Sequence, residues 1–211
     1  MIAHLLSIQT GRIAPLGPDG VPSGIVKRAR AGAVSVGLLG LEGDEQADPS
    51  VHGGAEKAVY GYAASHYPDW ARRFPDLDFI GGAMGENLTV ADMAETDICV
   101  GDIHAIGSAL LQVCQPRQPC FKFALLHANN HLPKAMVRSG HSGWYYRVLQ
   151  TGAIRAGDKV ALRERPNPDF LFTRLVEIVY HGKATAFELT RMVNMPGLAS
   201  QWRELARQLL G

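Results

Sequence analysis

The chain has 211 residues and a mass of 22.8 kDa, and with 46% hydrophobic and 19% charged residues it can bury one main core. Its 21 basic and 20 acidic residues give a net charge of +1, so overall charge does not favour nucleic acid or a membrane surface as the main partner. The N-terminal segment lacks a secretory leader pattern, no apolar run reaches the roughly 20 residues of a membrane span, and three cysteines suggest no disulfide framework, so we expect a cytoplasmic protein with reduced thiols.

Short β-strands separated by glycine-rich turns are predicted through about residue 165. The predicted strands cover residues 2–8, 33–36, 87–90, 102–106, 109–114, 144–149 and 159–162. Four pairs of glycine and an acid indicate turns between them, because glycine accepts backbone angles that other residues resist. These pairs lie at residues 43–44, 85–86, 101–102 and 157–158. The pattern predicts a barrel or a compact sheet.

A helix is predicted to interrupt the strands over residues 56–74, because apolar side chains recur there at helical spacing. Pro68 would kink this helix or divide it in two. Two shorter helical stretches are predicted, one directly after Cys120 and one over residues 133–138.

The C-terminal part changes character at the sequence Pro-Asn-Pro of residues 166–168, which resists helix formation. Three helices are predicted downstream, the first ending at Gly182 and the second capped by Thr185. In the last helix, apolar residues repeat at helical spacing: Leu198, Trp202, Leu205 and Leu209. We therefore predict a main domain of residues 1–165 and a three-helix domain of residues 166–211, which packs, docks a partner or forms a homodimer.

The loop around Cys120 carries the most informative chemistry. Pro116 and Pro119 stiffen this loop. Arg117 and Lys122 flank the cysteine, and their positive charges should favour the thiolate. A thiolate can bind a soft metal, act as a nucleophile or carry a persulfide. The alternative is a small buried side chain beside a turn, which is the commonest role of a lone cysteine.

The glycine pair at residues 53–54 precedes the predicted helix of residues 56–74. It would leave the first backbone N–H groups open to an anion, and Lys57 lies in that first turn, so a cofactor phosphate could bind there. The alternative is a plain loop between strand and helix with a solvated lysine.

The histidines do not form a specific metal pattern. His52, His66, His141 and Asp44 are possible ligand types for zinc or iron, but no pair has the spacing that such sites use. Each histidine is interpreted as a hydrogen-bonded structural group. We retain His52 as a candidate facing the substrate because of its glycine and lysine neighbours.

Two further polar groups are candidates for the same site. Asn87, in a glycine turn, can donate and accept hydrogen bonds, although a turn-forming role alone would explain it. Lys27 lies in a short basic run, which is usually a solvated edge. Together with Lys57, Arg117 and Lys122, it could build a local pocket for a doubly charged phosphate.

Taken in order along the chain, these segments resemble the MOSC-domain family, the molybdenum-cofactor sulfurase C-terminal domains, and within it the YiiM-like proteins. The resemblance rests on five motifs: G-L-x-G-D-x-Q-x-D at 40–48, H-G-G-x-x-K-A-V at 52–59, H-Y-x-x-W at 66–70, G-E-N-L at 85–88 and Q-P-R-x-P-C-x-K at 115–122. It extends over nearly the whole chain, including the helical tail.

The resemblance implies a mixed α/β (α+β) fold with a MOSC-type β-barrel core, flanking helices and a small C-terminal three-helix domain. It implies that the core binds the molybdenum cofactor, molybdopterin with its metal. The site residues it implies are Cys120 as metal ligand and catalytic residue, Asn87 and His52 as further catalytic residues, and Lys57, Arg117, Lys27 and Lys122 as cofactor-binding residues.

The same resemblance implies a reductase of N-hydroxylated compounds such as N-hydroxylaminopurines, hydroxylamines and amidoximes. The chain carries no iron–sulfur cysteine set, dinucleotide fingerprint or haem motif, so we expect the electrons to come from a flavoprotein or a ferredoxin-like carrier. Two alternatives stay open, a persulfide sulfur carrier that uses Cys120 and a non-catalytic module that only binds the cofactor.

Overall fold

The computed structural model describes residues 2–49 and 53–211. The described strands are β1 (His4–Thr10), β2 (Ala14–Leu16), β3 (Val21–Ser23), β4 (Arg28–Ala29), β5 (Val34–Gly37), β6 (Gly40–Leu41), β7 (Val59–Ala63), β8 (Leu88–Ala91), β9 (Ile103–Ile106), β10 (Ala109–Pro116), β11 (Trp144–Gln150), β12 (Gly152–Ile154) and β13 (Val160–Glu164). The α-helices are α1 (Tyr67–Arg73), α2 (Phe121–Leu126), α3 (Leu132–Ser139), α4 (Phe172–His181), α5 (Ala186–Val193) and α6 (Ser200–Leu210). None of the helices formed by the described residues is long and apolar enough to cross a membrane.

Eight strands form one large sheet in the order β13-β9-β10-β11-β7-β8-β1-β4. Neighbouring strands are antiparallel except β7 and β8, which are parallel. Two smaller sheets, β12-β5-β6 and β2-β3, complete the pairing that the described residues show. The fold is therefore mixed α/β, with a large and mostly antiparallel sheet.

The sequence predicted a β-barrel. Among the described residues, regular strand pairing does not close the main sheet into a barrel. Strand β1 changes partner along its length, which explains the difference. Its C-terminal end pairs with β4, whereas His4 forms an isolated bridge with Lys159. A backbone hydrogen bond of 2.8 Å from Val160 N to Ala3 O adds to that bridge. Leu5 N also donates to Asp158 O at 2.9 Å, and Gly157 N donates to Leu5 O at 2.8 Å, so the start of β1 contacts residues 157–160 without forming a continuous ladder with β13.

The predicted helix over residues 56–74 is wrong in its first half. That stretch contains a turn of 3-10 helix at Ala55–Lys57, strand β7 and a second 3-10 turn at Ala64–His66, and only α1 is α-helical. All five residues of β7 are buried, and β7 lies between β11 and β8. A strand buried on both faces is apolar throughout, so its pattern resembles that of a helix. Pro68 lies in the first turn of α1, where its missing N–H costs no hydrogen bond.

Most other predicted elements are confirmed. All seven predicted strands are present, with ends displaced by at most two residues. The helical stretches predicted after Cys120 and over residues 133–138 correspond to α2 and α3. The three C-terminal helices are also present. Helix α4 ends at Gly182, whose φ is 65°, and Thr185 forms a capping box with Glu188 at the start of α5.

Two clusters of buried side chains form the interior. The larger cluster joins the sheet to the C-terminal helices, and includes Val113 and Tyr146 together with Phe172 and Trp202. The smaller cluster consists of Tyr60, Tyr62, Trp70, Phe79, Met84, Phe123, Leu132 and Met136. Because the larger cluster includes both parts of the chain, the division into domains at residue 165 stays a prediction.

Candidate functional site

A pocket is formed where strands β7, β10 and β11 meet the loops next to β3, β6 and β8. Its enclosed space is small, about 90 Å³, and it opens widely to solvent, with a volume of about 660 Å³ when the open mouth is counted. Its lining includes six of the predicted site residues: Lys27, Lys57, Asn87, Arg117, Cys120 and Lys122. His52 lies outside the described residues. The structure thus brings together side chains from four separate sequence motifs.

The three cysteines have different surroundings. Cys99 and Cys114 are fully buried, and burial raises the pKa of the Cys114 thiol to about 12. Cys114 also donates a hydrogen bond of 3.0 Å to the backbone oxygen of Glu56. Cys120 instead follows β10 at the start of α2, is half-buried and lines the pocket. Cys120 is therefore the cysteine whose sulfur can meet a ligand in this pocket.

Arg117 is a buried and firmly held cation. Its guanidinium lies over the rings of Tyr60 and Phe123, at 5.1 and 4.9 Å from their centroids, and it donates a hydrogen bond to the backbone oxygen of Met84. Burial alone lowers the pKa of Arg117, but its interactions with Tyr60, Tyr145 and the nearby Cys120 raise the pKa by more. Arg117 therefore keeps its charge next to the sulfur of Cys120.

Asp44 holds Lys27 and Asn87 together. One of its carboxylate oxygens accepts hydrogen bonds from the Lys27 ammonium and, at 2.7 Å, from Gly11 N. The other accepts from Asn87 Nδ2 at 2.9 Å. The side chains of Lys27 and Asp44 are 7% and 3% exposed, so this is a buried ion pair. Burial lowers the pKa of Lys27, and the charge of Asp44 opposes that shift. Lys27 is consequently neutralised by a carboxylate rather than lying on a solvated edge.

The turn that carries Asn87 is itself held by a buried carboxylate. Glu86 is fully buried and accepts hydrogen bonds from Gly82 N at 2.6 Å, from Met84 N at 2.9 Å and from the Tyr67 hydroxyl. Asn87 Oδ1 accepts from Tyr60 N at 3.0 Å, and this bond ties the turn to β7. The G-E-N-L motif thus has a structural function, which is to fix Asn87 against Asp44.

The remaining two cations are more exposed. Lys57 is half-buried at the end of the 3-10 turn Ala55–Lys57, and burial lowers its pKa while Cys114 and Glu56 oppose the shift. Lys122, in the first turn of α2, donates to Pro22 O at 2.9 Å. The prediction that Lys57 sits in the first turn of a long helix is wrong, because a three-residue turn has no aligned helix behind it to attract an anion. Lys57 contributes its own charge instead.

Two aromatic residues of the pocket, Tyr60 and Tyr145, were not predicted from the sequence. Tyr60 falls within the wrongly predicted helix of residues 56–74, and no motif indicates a role for Tyr145. Tyr145 lies between Trp144 and Tyr146, which are fully buried, and it is only half-buried itself. Because side chains alternate along a strand, the predicted strand of residues 144–149 already placed Tyr145 on the face opposite its two neighbours. That alternation was the available signal.

The other candidate ligands lie elsewhere. The rings of His66 and His141 stack at 3.7 Å between centroids, and His66 Nε2 lies 2.6 Å from a carboxylate oxygen of Glu95. Neither histidine lines the pocket that contains Cys120. Within residues 2–49 and 53–211, no three His, Cys, Asp or Glu side chains are grouped so that they could hold a metal.

Comparison with known proteins identifies relatives along the whole chain. Residues 48–161 match the family described as MOSC domain. The chain is similar to protein YiiM of Escherichia coli K12, with 35% identity over 199 residues that cover 93% of this chain and 88% of that protein. It is also similar to a protein of Gibberella moniliformis described as a reductase, with 36% identity over 98% of this chain but only 37% of that longer protein.

A solved structure agrees with these sequence relationships. The crystal structure of YiiM from Geobacillus stearothermophilus superposes with a TM-score of 0.84 and 34% sequence identity, covering 99% of this chain and 100% of that one. The crystal structure of Escherichia coli YiiM gives a TM-score of 0.78 at 28% identity, covering 94% and 92% of the two chains. The similarity therefore includes the three C-terminal helices as well as the sheet.

Proposed function

The chain belongs to the MOSC domain family, and we propose that its pocket holds a molybdenum cofactor and reduces N-hydroxylated nitrogen compounds with electrons from a separate protein. The observation that carries this proposal is the position of Cys120, a half-buried cysteine that lines the same pocket as four cationic side chains. A soft sulfur next to positive charge suits a ligand that combines a thiophilic metal with an anionic phosphate.

The residues of the pocket fit such a cofactor in the chemistry of their donor atoms. Cys120 would be the protein's ligand to the metal, and the pterin group brings sulfur ligands of its own. Lys57 and Lys122 would contact the phosphate, and Arg117 would add a fixed positive charge close to the metal ligand. When bound, the cofactor supplies two-electron redox chemistry that no protein side chain provides.

The chain's own residues would bind and orient the groups in the pocket and shield them from solvent. Lys27 has its charge balanced by Asp44, so we propose that it contributes a directed hydrogen-bond donor rather than net charge. Asn87 already uses its amide on Asp44, Tyr60 N and the backbone oxygen of Gln9. We therefore propose Asn87 as a positioning residue that acts through Asp44, and not as a group that touches the substrate.

The proposed reaction converts an N–OH group into N–H and water, and consumes two electrons and two protons. A relative described as a reductase supports an oxidoreductase, and this chain spans only 37% of that relative's length. The chain itself has no sequence motif for a flavin, haem or iron–sulfur centre. A flavoprotein or ferredoxin-like carrier is therefore the proposed electron donor.

The test is to measure molybdenum, pterin and turnover on the full chain expressed with added molybdate. We expect molybdenum and pterin to be present in similar molar amounts to the chain, and benzamidoxime to be reduced to benzamidine by chemically reduced methyl viologen. Protein with neither molybdenum nor pterin would contradict the proposal. A persulfide on Cys120 in such metal-free protein, seen by mass spectrometry, would favour a sulfur carrier, and bound cofactor without turnover would favour a binding module.

A further inference from the structure

Tyr145 lies on β11 with its ring against the pocket that contains Cys120. Across the sheet it is in register with Tyr60 on β7, and the two rings are 5.0 Å apart between centroids with a tilt of 35°. Its neighbours Trp144 and Tyr146 point into the core and are fully buried. The backbone of a central strand therefore fixes the direction in which the Tyr145 ring leaves the sheet.

The hydroxyl of Tyr145 differs from those of the other tyrosines. Five of the six tyrosine hydroxyls have a hydrogen-bond partner: Tyr60 with Ser142 O, Tyr62 with Trp70, Tyr67 with Glu86, Tyr146 with His104 and Tyr180 with Arg117 O. The Tyr145 hydroxyl donates no hydrogen bond to any of the described residues. Tyr145 is half-buried and lines the pocket, so its side chain is accessible to a ligand there.

Tyr145, Arg117 and Cys120 line the same pocket, so the hydroxyl-bearing ring, the cation and the sulfur border one space. Burial raises the pKa of Tyr145, and the Arg117 guanidinium offsets only part of that rise. The phenol therefore keeps its proton at neutral pH and is available as a hydrogen-bond donor, and Arg117 reduces the cost of the phenolate that forms when a strongly basic leaving oxygen takes the proton.

We propose that the Tyr145 hydroxyl donates a hydrogen bond, and then its proton, to the oxygen that leaves an N-hydroxylated substrate. This proposal rests on the proposed function. The N–O bond breaks, and two electrons from an external one-electron or flavin-type reductant reduce the nitrogen compound. One proton comes from Tyr145 and one from water, so R–NH–OH yields R–NH₂ and water. Solvent at the pocket mouth returns the proton to Tyr145.

A purely structural role is the rival explanation, because the Tyr145 ring packs on Tyr60 and Tyr60 packs on Arg117. Tyr145→Phe separates the two roles, since it keeps the ring and removes only the hydroxyl. Tyr146→Phe is the matched control on the next residue of the same strand. Its hydroxyl bonds His104 in the core, away from the pocket.

The experiment measures kcat for benzamidoxime, its pH profile, cofactor content, and the calorimetric Kd values of benzamidoxime and benzamidine for the full chain as purified. For Tyr145→Phe we expect kcat to fall by roughly 100-fold or more, as removal of a general acid does. Cofactor content and the melting temperature should stay unchanged. The loss should be accompanied by a changed pH profile. Benzamidoxime should bind at least about 3-fold more weakly, in line with the loss of one hydrogen bond, and benzamidine should bind as before.

The outcomes separate this proposal from the proposed function. If the wild type turns over and Tyr145→Phe stays within about 3-fold of it in kcat, like Tyr146→Phe, the role of Tyr145 is overturned and the function stands. If the wild type binds benzamidoxime through Tyr145 but never turns over, the hydrogen bond to the substrate stands and the reduction fails. If Tyr145→Phe changes neither binding nor turnover, or loses cofactor with activity, Tyr145 has only a structural role.

Discussion

The pocket and the three C-terminal helices both carry many charges, but they hold them in opposite ways. In the pocket, Lys27 and Asp44 are almost fully buried, and Arg117 is 5% exposed. On the helices, pairs such as Arg174 with Glu188 lie at the surface with side chains 30% and 18% exposed. Burying a charge costs several kcal/mol before its partner compensates, whereas a surface pair contributes about 0–1 kcal/mol.

This difference indicates what each region is for. A folded chain retains buried charges beside open space where a ligand or a precise geometry needs them. The helices instead bury apolar side chains such as Trp202 and Phe172 against the sheet, and keep their charges in solvent. Substitutions in the pocket should therefore change binding, activity and the stability of buried charge, while charge substitutions on the helices should change little.

The largest expected effect is the loss of activity in Cys120→Ser, because serine cannot replace a soft sulfur ligand. We expect benzamidoxime reduction to fall by at least about 10³-fold, equivalent to about 4 kcal/mol in the activation barrier. The melting temperature should stay near that of the wild type, since Cys120 is only half-buried.

Cys114→Ser is the control for that loss. Cys114 is sealed in the core, and serine can still donate to the backbone oxygen of Glu56. We expect turnover within about 3-fold of the wild type, because no ligand reaches this position. Equal activity in the two serine variants would show that Cys120 is not the metal ligand, and that its role in turnover does not differ from that of Cys114.

Asp44→Asn tests the buried charge of the pocket. It leaves the Lys27 ammonium in a buried site without a counter-charge, so we expect a loss of about 3–5 kcal/mol in the free energy of unfolding. The loss should shrink as pH rises toward 10.5, the ordinary pKa of lysine. A neutral Lys27 needs no counter-charge in either the folded or the unfolded protein. Urea unfolding at several pH values measures both effects.

A double variant sharpens this test. Lys27→Met combined with Asp44→Asn removes the uncompensated charge, so most of the lost stability should return even though the ion pair is absent. If Asp44→Asn alone unfolds at the wild-type urea concentration, the pair is not the buried charge that its exposure indicates. The contrast between pocket and helices would then disappear.

Asp44 also shows which contacts can be predicted from sequence patterns and which cannot. The resemblance of the ordered motifs to the MOSC-domain family implied that Lys57, Arg117 and Cys120 share a site, and all three line the pocket. The pairing of Asp44 with Lys27 was not predictable, since 17 residues separate them and no local rule connects the loops that carry them. Contacts of this kind depend on tertiary structure alone.

The fold likewise divides into elements that local sequence signals predict and contacts that depend on tertiary structure. The seven predicted strands alternate or end at glycine turns, which are local signals, and all seven are present. Strand β7 was missed because burial on both faces removes the alternation, and short 3-10 turns on either side extend the helix-like pattern. The contacts of β1 with residues 157–160 bring it to the start of β13, and no local pattern distinguishes them from a continuous ladder.

Lys57→Ala tests a half-buried cation at the pocket wall. Its loss should weaken cofactor binding by about 1–3 kcal/mol, the contribution of a charge-assisted hydrogen bond to phosphate. The pterin content of purified protein should fall while the fold remains. Lys134→Ala, on the exposed side of α3, is the control that should leave pterin content unchanged. Equal pterin content in the two variants would contradict a phosphate contact at Lys57.

The smallest expected effect lies on the C-terminal helices, at the pair of Arg174 and Glu188. Glu188→Gln removes the ion pair but keeps the capping box with Thr185, because glutamine can fill the same capping position. Arg174 lowers the pKa of Glu188 to about 2. The contribution of the pair is therefore present above pH 4.5, the ordinary pKa of a glutamate, and is lost as pH falls from there toward about 2.

Since the pair is exposed to solvent, we expect Glu188→Gln to lower the free energy of unfolding by only about 0.2–1 kcal/mol, measured by urea unfolding at pH 7. Wild type and Glu188→Gln should converge in stability as pH falls to about 2, and the more exposed Glu204→Gln should show no measurable change. A loss of several kcal/mol at Glu188 would mean that the helices, like the pocket, depend on fixed charge.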